Sequence, residues 1–106
     1  MTIRVILVDD HPLFRKGLEH LLDNHPDVTA VGQFADIEST RRWLAEGGAA
    51  DVALLDRGLQ DADGLSLVPD FKRHNIRVIM LTIADEDYEI RDAIERGVDG
   101  YILKSS

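Results

Sequence analysis

Two hydrophobic periods alternate along the chain. Short runs of neighbouring apolar residues lie at 3–8, 28–34, 52–55, 77–81 and 100–103, the signature of strands buried on both faces of a parallel sheet. Between them apolar positions recur at helical spacing: Phe14, Leu18, Leu21 and Leu22; Ile37 and Leu44; Leu65, Leu67, Val68 and Phe71; Ile90, Ala93 and Ile94. The spacing predicts helices over about 12–24, 36–46, 65–74 and 85–96, with Asp36 capping the second and Gly97 closing the fourth. Pro69 leaves two readings of the third. It either kinks that helix or marks its first turn after an irregular segment from Gly64 to Val68. Strand and helix in strict alternation predict a parallel sheet with helices on both faces.

What stands at the carboxyl end of each strand changes the picture. The first strand ends on Asp9 and Asp10, the third on Asp56, the fourth on Thr82 and the fifth on Lys104. Singly, each has an ordinary structural role as a cap, a half-buried strand residue or a surface lysine. Together they project from one edge, where open α/β sheets bind ligands, and strands 1 and 3 are neighbours at the switch point of a 2-1-3-4-5 order. Three converging carboxylates repel one another unless a cation intervenes. Mg²⁺, a hard ion that sits on one or two carboxylates, waters and a phosphate, resolves that conflict. A carboxylate beside such an ion can attack phosphorus and form an aspartyl-phosphate. Lys104 and Thr82 then supply a positive charge and a donor to the phosphoryl oxygens.

Composition narrows the classes. The 106 residues suffice for one core. A net charge of −8 argues against holding nucleic acid through its phosphates. There is no long apolar segment to suggest a membrane span. Zero cysteines exclude a disulfide framework and fit a cytoplasmic setting.

The residues resemble the response-regulator receiver domain of bacterial two-component signalling. The matching parts are 8–18 with Asp9-Asp10-His11-Pro12-Leu13-Phe14-Arg15, then Leu55-Asp56, Asp63-Gly64, Leu81-Thr82 and Gly100-Tyr101-Ile102-Leu103-Lys104. The first and last are most similar to the NarL/LuxR-type regulators. The resemblance implies a CheY-like, flavodoxin-like, doubly wound five-stranded sheet. It implies that Asp56 accepts phosphate from a sensor histidine kinase, with Mg²⁺ on Asp9, Asp10, Asp56 and the Gly58 carbonyl. Thr82 would move onto the phosphate, Tyr101 would follow inward, and Lys104 would pair with the acidic cluster. The changed surface around helix 4 and strand 5 would serve dimerisation or a C-terminal DNA-binding domain.

Departures from the family pattern are Arg57, where an apolar residue is usual, Gln60 in place of proline, and Ser105 after Lys104. Arg57 and Gln60 are the support for an alternative, a receiver that works as a phosphorylation-independent interaction module. Two further classes lack their motif. Haloacid-dehalogenase-type phosphatases want an Asp where Gly58 stands, and the turn after the first strand is not glycine-rich as nucleotide binding requires.

His11, His20, His25 and His74 lack metal-ligand spacing and read as surface or cap residues, with only His11 near the site. Trp43 reads as packing in or on the second helix. No helix follows the fifth strand, so the expectation is a receiver domain over 1–106 cut after that strand. Such a chain would leave an apolar patch that favours self-association.

Overall fold

The computed structural model describes residues 2–59, 62–83 and 87–104. Five strands form one sheet: β1 (Ile3–Val8), β2 (Val28–Phe34), β3 (Val52–Asp56), β4 (Arg77–Thr82) and β5 (Gly100–Leu103). All four pairings are parallel, and the order is β2-β1-β3-β4-β5. The helices are α1 (Pro12–Asp23), α2 (Ile37–Ala45), α3 (Val68–Arg73) and α4 (Asp87–Glu95). This is the parallel sheet with helices on both faces that the alternation predicts, in the doubly wound, flavodoxin-like order that the resemblance implies.

The strand period of two divides the side chains between two layers. Ile6, Val8, Ala53, Leu55, Val78 and Met80 face α2, α3 and α4, packing with Leu44, Leu67, Phe71 and Ala93. Val5, Leu7, Leu54 and Leu81 face the other way, under Phe14, Leu18 and Leu22 of α1. That second layer is thinner. No residue of α1 is fully buried, Ile79 is half-buried, and Ile102, paired with Leu81, is 48% exposed.

Local signals explain the element ends. The Asp36 carboxylate accepts a hydrogen bond of 2.7 Å from the Ser39 N–H, satisfying a donor at the start of α2. Gly47 and Gly97 turn the chain out of α2 and α4 at φ of 96° and 106°, which a side chain would resist. Pro69 resolves in favour of its second reading. Gly64–Leu67 form a 3₁₀ turn, and Pro69 lies in the first turn of α3, where no amide hydrogen is needed. Ile94 departs from the expected inward face of α4. It is 56% exposed while Ala93 is fully buried, because successive helical residues point about 100° apart and the face that meets the core is centred on Ala93. The expected start of that helix near Asp85 lies outside the described residues, as do Gln60, Ala84 and Ser105.

Candidate functional site

The strand order brings the four predicted strand ends together. Because β1 and β3 are direct neighbours and their chains leave in opposite directions, a cleft opens above their carboxyl ends. Asp56, Gly58, Thr82, Lys104, His11, Arg57 and Phe14 line a cavity of about 900 Å³ there.

Asp56 is held by both oxygens. Its Oδ1 accepts a 3.0 Å hydrogen bond from the Gly58 N–H, and its Oδ2 accepts a 3.1 Å hydrogen bond from Lys104 Nζ. Its side chain is only 6% exposed. The backbone behind it is equally constrained. The Gly64 N–H donates to the Arg57 carbonyl at 2.8 Å, and a Cβ on Gly64 would stand 2.1 Å from the Asp56 carbonyl oxygen. The Asp63-Gly64 pair thus closes the loop. Asp63 accepts from the Leu65 N–H at 2.9 Å, and Gly64 lets the chain pass against the end of β3.

Lys104 spans two carboxylates. Its Nζ lies 2.9 Å from Asp9 Oδ2 and 3.1 Å from Asp56 Oδ2, and stands over the Phe14 ring at 4.5 Å from the centroid. The Asp9 contact is an ion pair whose alignment falls short of a hydrogen bond. Burial acts to raise the Asp9 pKa, but donors from Lys104 and His11 outweigh it and hold the carboxyl below its ordinary value. Lys104 mirrors this: burial acts to lower its pKa, and Asp9 and Asp56 raise it above the ordinary lysine value.

Thr82 is buried at the end of β4, its carbonyl accepting from the Lys104 N–H at 2.8 Å. Tyr101 is 43% exposed on β5 and does not line the cavity. Gly58 lines it and touches Asp56 through its N–H.

His11 was expected near the site, but its contacts, and the parts played by Arg57 and Phe14, were not legible beforehand. His11 is at the N-cap position of α1, yet its Nδ1 lies 2.8 Å from Asp9 Oδ1, 3.2 Å from Asp10 Oδ1 and 3.4 Å from Asp56 Oδ2. Its place in the Asp-Asp-His-Pro run was the available signal. Arg57 reaches across to α4, donating to the Glu89 carbonyl at 2.9 Å and to Asp92 Oδ2 at 2.8 Å. Phe14, expected only as core, forms the floor under Lys104. Trp43 meets the expectation of packing, with its ring 5.4 Å from that of Phe34.

One oxygen or nitrogen from each of Asp9, Asp10, His11 and Asp56 lies within 4.8 Å of all the others. Clustered carboxylate oxygens, one on a fully buried side chain, are the donor set a hard divalent cation uses. The response regulator receiver domain model matches residues 5–106. The chain belongs to the response-regulator receiver family.

This receiver is 31% identical over 102 residues to the nitrate/nitrite response regulator NarL of Escherichia coli, covering 94% of this chain and 47% of that protein. It is 36% identical over 110 residues to the response regulator VraR of Staphylococcus aureus, covering 100% of this chain and 51% of VraR. The signal receiver domain of the putative response regulator NarL from Mycobacterium tuberculosis superposes with a TM-score of 0.87 at 32% identity, covering 99% of this chain and 86% of that one. The receiver spans about half the length of the curated relatives it matches. Receiver domains bind Mg²⁺ at an acidic pocket, and the oxygen donors of this one fit that ion. Among the described residues no helix is long and apolar enough to cross a membrane.

Proposed function

We propose that this receiver is a phosphoacceptor switch in which Asp56 takes a phosphoryl group from a sensor histidine kinase. An Asp56 oxygen attacks phosphorus; the P–O bond forms as the P–N bond to the kinase histidine breaks, and the electron pair returns to the imidazole. Asp9, Asp10, Asp56 and the Gly58 carbonyl would hold Mg²⁺, which would supply positive charge between the carboxylate and the incoming phosphoryl group. Lys104 balances the oxygens of the product, and Thr82 donates to them.

The observation that carries the reading is the state of Asp56: a nearly buried carboxylate with one oxygen pinned by an N–H, the other facing Lys104, and an open cleft in front. Phosphorylation then adds charge that draws Thr82 and lets Tyr101 turn inward, biasing the α4–β5 surface between two states. That surface serves dimerisation or a C-terminal DNA-binding domain, in the cytoplasm, and this domain itself contacts no nucleic acid. Incubation with Mg²⁺ and acetyl phosphate, followed by intact mass measurement, tests the acceptor. One phosphoryl mass gained by the natural chain and none by Asp56→Ala is the expected result. No gain in the natural chain, or an equal gain in the variant, overturns it.

A further inference from the structure

Arg57 follows the proposed acceptor directly, and its backbone is fixed to the sheet. Its N–H donates to the Leu81 carbonyl at 3.2 Å, and its carbonyl accepts from the Gly64 N–H at 2.8 Å. From this base the side chain leaves the acceptor loop and ends on α4. The guanidinium donates to the Glu89 carbonyl at 2.9 Å and to Asp92 Oδ2 at 2.8 Å, with Asp63 at 3.9 Å. A second arginine makes the return link. Arg96, just past α4, donates to Asp63 Oδ2 at 2.9 Å and lies 3.8 Å from Asp92. Opposite charges thus alternate between the loop that carries Asp56 and the helix across the cleft.

The rest of α4 is lightly held. Among its described side chains Ala93 alone is buried, while Tyr88 and Ile94 are exposed. With so little apolar area withdrawn from water, the polar links are a large part of what fixes the helix in place. They are also short-ranged: a shift of α4 by about 1 Å carries both Arg57 contacts beyond hydrogen-bonding distance. They are made here in the arrangement that leaves Tyr101 43% exposed and outside the cavity.

We propose that Arg57 is a positioning residue of the switch, latching α4 through Asp92 and the Glu89 carbonyl in the unphosphorylated arrangement. The inference rests on the phosphoacceptor reading of Asp56. A contact made only in that arrangement opposes the phosphorylated one by the same factor, which for a partly exposed ion pair is about two- to fivefold. Beryllofluoride, an analogue of the phosphoryl group on a carboxylate, is titrated with Mg²⁺ present into the natural chain, Asp92→Asn, Arg57→Met and the double variant, and its binding is followed by fluorine NMR. Each single variant is expected to bind it about two- to fivefold more tightly, and the double variant no more tightly than the better single, since either change opens the same latch. The shared sign is diagnostic. Loss of charge alone would tighten binding in Asp92→Asn and weaken it in Arg57→Met, and general loosening of the fold would weaken both. Either of those patterns, unchanged affinity, or additive gains in the double variant overturns the latch, while binding by the natural chain keeps Asp56 as the acceptor. If the natural chain binds no beryllofluoride and gains no phosphoryl mass from acetyl phosphate, the acceptor reading fails and the latch falls with it.

Discussion

Replacing Lys104 by methionine removes the ammonium that lies 2.9 Å from Asp9, 3.1 Å from Asp56 and 4.5 Å from the centre of the Phe14 ring, while keeping an unbranched apolar side chain. The side chains involved are 0% exposed for Asp9, 6% for Asp56 and 10% for Lys104, so water replaces little of the lost interaction. Breaking a dry ion pair from one side costs about 3–5 kcal/mol. Here the cleft is open on the His11 side, so the expected loss is about 2–3 kcal/mol at neutral pH, with loss of the Phe14 contact contributing about 0.5 kcal/mol of it. For a domain this size that lowers Tm by about 10–20 °C.

Urea unfolding followed by Trp43 fluorescence and far-ultraviolet circular dichroism measures it. The pH dependence follows in sign. Asp9 is held below its ordinary pKa, so its share of stability is present above that value and lost as pH falls through the folded one. Lys104 is held above its ordinary pKa, so its share is present below that value and lost as pH rises through the folded one. The gap between the natural chain and Lys104→Met is therefore full between about pH 5 and pH 10 and closes on acidification as Asp9 protonates. Mg²⁺ should stabilise the variant more than the natural chain, since no ammonium competes for the carboxylates. A loss under about 0.5 kcal/mol at neutral pH, or a gap of constant size down to about pH 3, refutes the argument that Lys104 compensates buried charge.

Other expectations follow from contacts elsewhere. Gly64→Ala forces a Cβ to within 2.1 Å of the Asp56 carbonyl oxygen and 3.3 Å of the Arg57 Cα, and is expected to cost about 3 kcal/mol and distort the loop after Asp56, read by thermal unfolding. Arg57→Ala and Asp92→Ala, made singly and together, should show a coupling of about 0.5–1 kcal/mol, because the pair is partly exposed; exact additivity would mean the 2.8 Å contact contributes nothing. Thr82→Ala should still gain a phosphoryl mass from acetyl phosphate but lose the phosphorylation-dependent change in amide exchange across α4. Retention of that change would remove Thr82 from the switch.

The sequence by itself determined the layering and which polar residues stand at the strand ends. Apolar runs such as Ile3–Val8 and Val52–Asp56 are too short for helices and stand between segments of helical period, so the β-α alternation was legible without coordinates. Asp9, Asp10, Asp56, Thr82 and Lys104 were legible as a set because each ends a strand, and parallel strands carry their ends to one edge. What the tertiary structure decided are contacts between residues far apart in the chain, or on faces that periodicity does not resolve. Arg57 looked like a departure in a loop until it reached Asp92, 35 residues on. Ile94 matched the helical period yet stayed exposed, since the sheet covers only a stripe of α4. His11 has the sequence context of a helix cap, and only the backbone held by Asp9 and Pro12 turns its ring nitrogen toward three carboxylates. Local pattern selects which residues are buried or exposed. The direction in which a side chain leaves its backbone, and what it then meets, is set by packing across the whole fold.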